Sequence, residues 1–187
     1  MGALAICRAE NGPGGRLVAV GDHRLFMECS GAPAGMTVVL VNGLGAGLEL
    51  WKAVQEGVAG FARVCSYDRA NEGHSDRVGH LQTPDEVLKD LRLLLEAEKI
   101  SGPYILVGAS LGGIYVRRFT ERYPGLTAGI VFVDSSHEEQ YSRLAAISPP
   151  LAERFATQDG RFDREEFLRS AGQLKSGEHP RWQLNVP

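Results

Sequence analysis

One serine is framed by glycines in the run Gly108-Ala109-Ser110-Leu111-Gly112-Gly113. The apolar run Tyr104-Ile105-Leu106-Val107 leads into it, and a helical pattern over residues 114–123 follows. A Gly-x-Ser-x-Gly between a buried strand and a helix is a nucleophile elbow, a sharp turn that lifts one hydroxyl above the end of a sheet. The chemistry explains the glycines. The turn strains the serine backbone, and Gly108 and Gly112 leave room for close strand–helix packing. The helix N-terminus behind Ser110 offers free N–H groups and partial positive charge to an oxyanion. The competing reading is a glycine-rich turn with a bystander serine. The flanking strand, the flanking helix and the third glycine, Gly113, favour the elbow.

The elements that must position this serine follow from the pattern of the chain. Residues 16–20 and 23–29 are β-rich and separated by Gly21-Asp22, which predicts a hairpin. Residues 37–41 are a continuous β-branched run, as in a strand buried on both faces. Residues 48–58 predict a helix with Leu48, Trp51, Val54 and Val58 near one face. Residues 63–67 form the next strand, and a polar loop runs from Asp68 to Asp76. Thr83-Pro84-Asp85-Glu86 is a helix start with a cap, a proline at the first helical position and a capping box. Val87, Leu88, Leu91, Leu94 and Leu95 then repeat at helical spacing. Residues 129–133 predict another buried strand, ending at Asp134. Strands alternating with helices imply a parallel sheet with right-handed crossovers. Beyond Asp134, residues 138–146 and 164–174 read as helices, with Pro149-Pro150 and Gly160 breaking the run.

In order, these segments resemble the α/β-hydrolase superfamily, in its branch of small esterases, lipases and peptidase-like enzymes. The likeness runs over residues 16–140. Asn42-Gly43-Leu44-Gly45 resembles that family's oxyanion loop, residues 66–76 its strand-four loop, and Val133-Asp134-Ser135-Ser136-His137 the end of its sixth strand. The resemblance implies Ser110 as nucleophile and the backbone N–H groups of Leu44 and Leu111 as oxyanion hole. It implies esters or related acyl compounds as substrates. It also implies an incomplete α/β-hydrolase fold, a mostly parallel sheet of about six strands flanked by helices and lacking the last two strands. Residues 1–137 would be the core and 138–187 a helical cap-like segment. Three positions depart from the family: Asn42 for a usual His, Asn71 for a usual Gly, and Ala109 for a frequent His.

The family's catalytic acid and His follow two later strands, and Gln183 to Pro187 stands about where the first of these should begin. A serine hydroxyl needs a base in hydrogen-bond reach and an acid to orient that base. Of five histidines, His23 reads as structural, His80 as surface and His179 has no assigned place. His74 and His137 follow strand ends, where open α/β sheets bind their ligands. His137 is the candidate substitute base, with Asp134 or Asp68 as acid. The alternative is structural: His137 and Asp134 organise a turn, and Asp68 pairs with Arg69. The last strand would present an unpaired apolar edge over residues 130–133, to be hidden by residues 138–187 or by a second copy in a homo-oligomer.

Composition bounds the remaining options. A net charge of −3 shows no nucleic-acid footprint. No Gly-x-x-x-x-Gly-Lys loop and no His/Cys cluster with ligand spacing occurs, so no nucleotide, cofactor or metal is expected. The apolar N-terminal stretch is too short for a signal peptide or a membrane span, so no membrane partner is expected. Cys7, Cys29 and Cys65 are odd in number, with Cys29 and Cys65 expected as buried free thiols, which suggests a reducing, cytoplasmic location. The other readings are a non-catalytic binding domain of the same fold, or a fragment without its own function.

Overall fold

The computed structural model describes residues 14–33 and 35–157. A hairpin of β1 (Arg16–Ala19) and β2 (Arg24–Ser30) opens the chain. β3 (Val38–Val41) leads through a 3-10 turn (Leu48–Trp51) into α1 (Lys52–Ala59) and β4 (Val64–Tyr67). Then come α2 (Pro84–Ala97), β5 (Tyr104–Ala109), α3 (Leu111–Arg122) and β6 (Thr127–Val133). α4 (Gln140–Ile147) and α5 (Pro149–Thr157) close the described part. The sheet runs β1-β2-β4-β3-β5-β6, antiparallel across β1, β2 and β4 and parallel from β4 to β6.

β3 is apolar and buried at every position because both of its faces are covered. Alternate side chains of β3 feed different layers. Val39 and Val41 join Leu106, Leu88, Leu91, Ile114 and Phe119 beneath α2 and α3. Val38 and Leu40 join Val64, Val107 and Trp51 beneath α1. α2 starts on the expected capping box: Thr83 accepts from Glu86 N–H, and the Glu86 carboxylate accepts from Thr83 N–H at 2.7 Å. Those Thr83 bonds hold the Glu86 carboxyl below its ordinary pKa. A depressed carboxylate adds stability above its unfolded pKa and loses it as pH falls through the folded value. Thr83→Ala is therefore expected to cost about 1 kcal/mol, read from the urea midpoint at neutral pH. The difference should narrow as the pH falls through the lowered Glu86 pKa.

Four local expectations need correction. Val54 is exposed on α1 while Gln55 is buried, because Gln55 bonds Ser66 Oγ at 2.6 Å and Ser30 Oγ at 3.2 Å. The run breaks at Ser148, just before Pro149-Pro150, as expected, but Pro149 then opens a further helix, α5, that the pattern did not predict, since the first turn requires no N–H donor there. Asp68 does not pair with Arg69, and both side chains serve neighbouring loops instead. Cys29 and Cys65 form a disulfide rather than two free thiols, because the β2–β4 register sets them directly opposite, with Cα atoms 4.1 Å apart. The bonded pair removes the free-thiol argument for a reducing compartment. Among the described residues, no helix is long and apolar enough to cross a membrane. Cys7, His179 and the helix expected over 164–174 lie outside the described residues, as does most of the 138–187 segment.

Candidate active site

β5 ends at Ala109 and α3 begins at Leu111, so one residue makes the whole turn. Ser110 takes φ 49° and ψ −121°, outside the regions that L-residues favour. The strand and helix approach closely enough that a Cβ on Gly108 would lie 2.6 Å from Gly112 O. Ser110 N–H donates to Val133 O at 3.1 Å, and Ser110 O accepts from Gly113 N–H at 3.0 Å and Ser136 N–H at 2.9 Å. The strained residue is thus fastened to β6 as well as to its own helix.

The loop of residues 42–45, the candidate oxyanion loop, lies beside it. A Cβ on Gly43 would stand 3.5 Å from Ser110 Oγ. Leu111 N–H is in the first turn of α3, where no intrahelical acceptor exists. Neither Leu44 N–H nor Leu111 N–H has an acceptor among the described residues. The loop is bracketed by two residues that the sequence reading missed as site residues. Arg69 Nη2 donates to Gly43 O at 3.1 Å and lies 3.4 Å from Glu72 Oε1, which accepts Gly45 N–H at 3.0 Å. The Arg69 guanidinium also lies over the Tyr115 ring, 5.0 Å from its centroid. The peptide of Leu44 sits between these two fixed points. Asp68-Arg69-x-x-Glu72 at the exit of a buried strand is the signal in the sequence. Asn42 is fully buried and contributes one bond, from Nδ2 to Tyr67 O at 3.1 Å.

The candidate bases are placed less favourably. Ser110, Asp134, Ser136 and His137 line one open cavity of about 740 Å³, with Leu144 and Ile147 of α4 as its apolar side. Within it, His137 Nδ1 accepts Glu139 N–H at 3.1 Å and Nε2 lies 3.5 Å from Glu138 Oε2. Burial pushes the Glu138 carboxyl up, but its two bonds from Arg117 outweigh this and hold it low. Among the described residues, neither His137 nor Asp134 hydrogen-bonds Ser110, and they do not bond each other. Asp134 has a positive φ of 44° and turns the chain out of β6. His74 lines a different cavity, against the Phe26 ring, with Nδ1 3.4 Å from Asp68 Oδ2. His23 bonds Asp22 and Asp90 and His80 bonds Glu86, in a cavity that Ser110 does not line. The side-chain partner that the structure gives Ser110 Oγ is Ser136 Oγ, at 3.5 Å.

A family model described as "alpha/beta hydrolase fold" matches residues 37–173. The "Probable transporter efuK" of Hormonema carpetanum is 31% identical over 140 residues, covering 71% of this chain and 20% of that protein. The "Putative carbamate hydrolase RutD" of Azorhizobium caulinodans is 31% identical over 94 residues, covering 50% of this chain and 34% of that protein. The chain therefore spans a fifth to a third of the length of these two relatives. The crystal structure of a hydrolase from Pseudomonas aeruginosa superposes with a TM-score of 0.66 at 21% identity. That superposition covers 89% of this chain and 74% of the other.

Proposed function

We propose, from the fact that this chain belongs to the α/β-hydrolase family, that it carries the nucleophile half of a serine hydrolase for esters or related acyl compounds. The observation that carries this reading is Ser110 at φ 49°, alone in a strand–helix turn beside two N–H groups that have no acceptor among the described residues. Ser110 Oγ attacks the acyl carbon and loses its proton to a base. The carbonyl oxygen gains charge and is met by the N–H groups of Leu44 and Leu111. The tetrahedral adduct expels the alcohol, and water then cleaves the acyl-serine. The cavity wall of Leu144 and Ile147 suits an apolar acyl or alcohol group. The carbamate named for one relative is itself an acyl compound, which supports the same substrate class.

The base is supplied by a histidine of another segment or chain, or by His137 once its ring leaves Glu139 N–H. A second reading, a binding domain without catalysis, is favoured by one observation: no imidazole touches Ser110 among the described residues. A fluorophosphonate probe separates the two. Labelling that disappears in Ser110→Ala supports an activated serine, and a folded chain that takes no label supports binding alone.

We also propose that β6 is the contact surface of a homo-oligomer. Among the described residues it pairs only with β5, and Val131, Phe132 and Val133 are 47%, 50% and 43% exposed. An open apolar edge is a template for another strand. Light scattering is expected to show a dimer or larger species, and Phe132→Lys should shift it to monomer. A wild-type monomer across micromolar concentrations would refute this.

A further inference from the structure

We propose that Ser136 is a positioning residue for Ser110, setting the direction of the nucleophile's hydroxyl hydrogen and so of its lone pairs. The inference rests on the serine-hydrolase reading and deepens it. Three observations carry it. First, Ser136 is buried, at 8% exposure, yet it lines the same cavity as Ser110. Second, it cannot drift. The chain leaves β6 through Asp134 at φ 44° and folds back so that Val133 O and Ser136 N–H grip the Ser110 peptide from both sides. Two left-handed residues, Ser110 and Asp134, thus meet at the ends of adjacent parallel strands, and Ser136 is the residue they deliver to the hydroxyl. Third, Ser136 Oγ has Ser110 Oγ as its side-chain partner, whereas Ser135 Oγ is turned away to Ser136 O.

The separation of 3.5 Å is long for two hydroxyls, and a small rotation about either Cα–Cβ bond shortens it. With Ser136 Oγ–H donating to one lone pair of Ser110 Oγ, the Ser110 hydrogen is left for the base and the other lone pair for the arriving acyl carbon. Ser136 is not the base, because a serine hydroxyl does not hold an extra proton near neutral pH. The Ser110 proton leaves to the base of the reaction, and Ser136 Oγ–H goes on donating to the oxygen as it bonds the acyl carbon.

The test is the second-order rate of labelling by a fluorophosphonate. In that reaction the Ser110 Oγ–P bond forms, the P–F bond breaks, fluoride departs and the proton passes to a base or to buffer. Ser110→Ala is the blank. Ser136→Ala is expected to label roughly tenfold more slowly than wild type, the scale of one hydrogen bond, with an unchanged thermal midpoint. Ser136→Thr keeps the hydroxyl and is expected to stay within about threefold of wild type. Ser136→Val has nearly the shape of threonine without the hydroxyl and should be as slow as Ser136→Ala. If the branched variants do not fold, the alanine variant decides. Equal labelling of wild type and folded Ser136→Ala overturns the proposal while leaving Ser110 as nucleophile. A Thr variant as slow as the Val variant overturns it too. A folded wild type that never labels overturns the hydrolase reading and this inference with it.

Discussion

A Gly112→Ala variant is expected to lose about 3 kcal/mol of stability and to melt roughly 10 °C lower than wild type. The added Cβ would lie 2.8 Å from Asn42 O, 2.9 Å from Val41 C and closer still to Val41 O. All three atoms are backbone, so no side chain can rotate away. Val41 pairs with Gly108 on one side of β3, and the same strand is laddered to β4 on the other. β3 therefore yields only by pulling away from its neighbours, and its end carries Gly43 and Leu44. Labelling of Ser110 should fall with stability, because both walls of the oxyanion site move. Gly125→Ala is the control, since nothing lies within 4 Å of the Cβ it would add. Calorimetry of the two variants decides the matter. Equal midpoints would mean that α3 slides freely on β3, contrary to the geometry.

The second large effect is expected at Asp68, which is fully buried. Its Oδ1 accepts Leu48 N–H at 2.6 Å and its Oδ2 accepts His74 N–H at 2.8 Å. One carboxylate thereby ties the start of the 3-10 turn after the oxyanion loop to the loop leaving β4. Asp68→Ala leaves both donors without an acceptor and is expected to cost about 2–4 kcal/mol. Asp68→Asn keeps one acceptor oxygen for Leu48 but turns an NH₂ toward His74 N–H, so about half of the loss should return. Urea melts read the stability of both variants. A fluorophosphonate time course reads the loop, and slower labelling in the Asn variant is the expected sign that Asp68 steadies the oxyanion side. An Ala variant as stable as wild type would show that water takes over both N–H groups.

Much of the frame was legible because its signals are local. The capping box at Thr83–Glu86 lies within four residues, and the leucine stripe of α2 repeats within one helix. The β-branched run of β3 announces a strand covered on both faces wherever it stands in the sheet. The elbow at Ser110 is equally local: strand, glycine, serine, glycine and helix lie in one stretch, and the structure bends sharply at that residue. Where local pattern and tertiary contact disagreed, contact prevailed. Gln55 replaces Val54 on the buried side of α1 because Ser66 and Ser30, on two other strands, present hydrogen-bonding groups to it.

From the sequence alone came the elbow at Ser110, the family likeness and the order of the elements, since each depends on residues close together in the chain. Tertiary structure decided the rest: the Cys29–Cys65 bond, the Arg69–Glu72 bracket on the oxyanion loop, and the approach of Ser136 to Ser110. It also left His137 bonded to Glu139 rather than to the serine. These depend on which residues of different strands fall level with one another. Strand register is set by packing across the whole sheet, and no short stretch of sequence contains it.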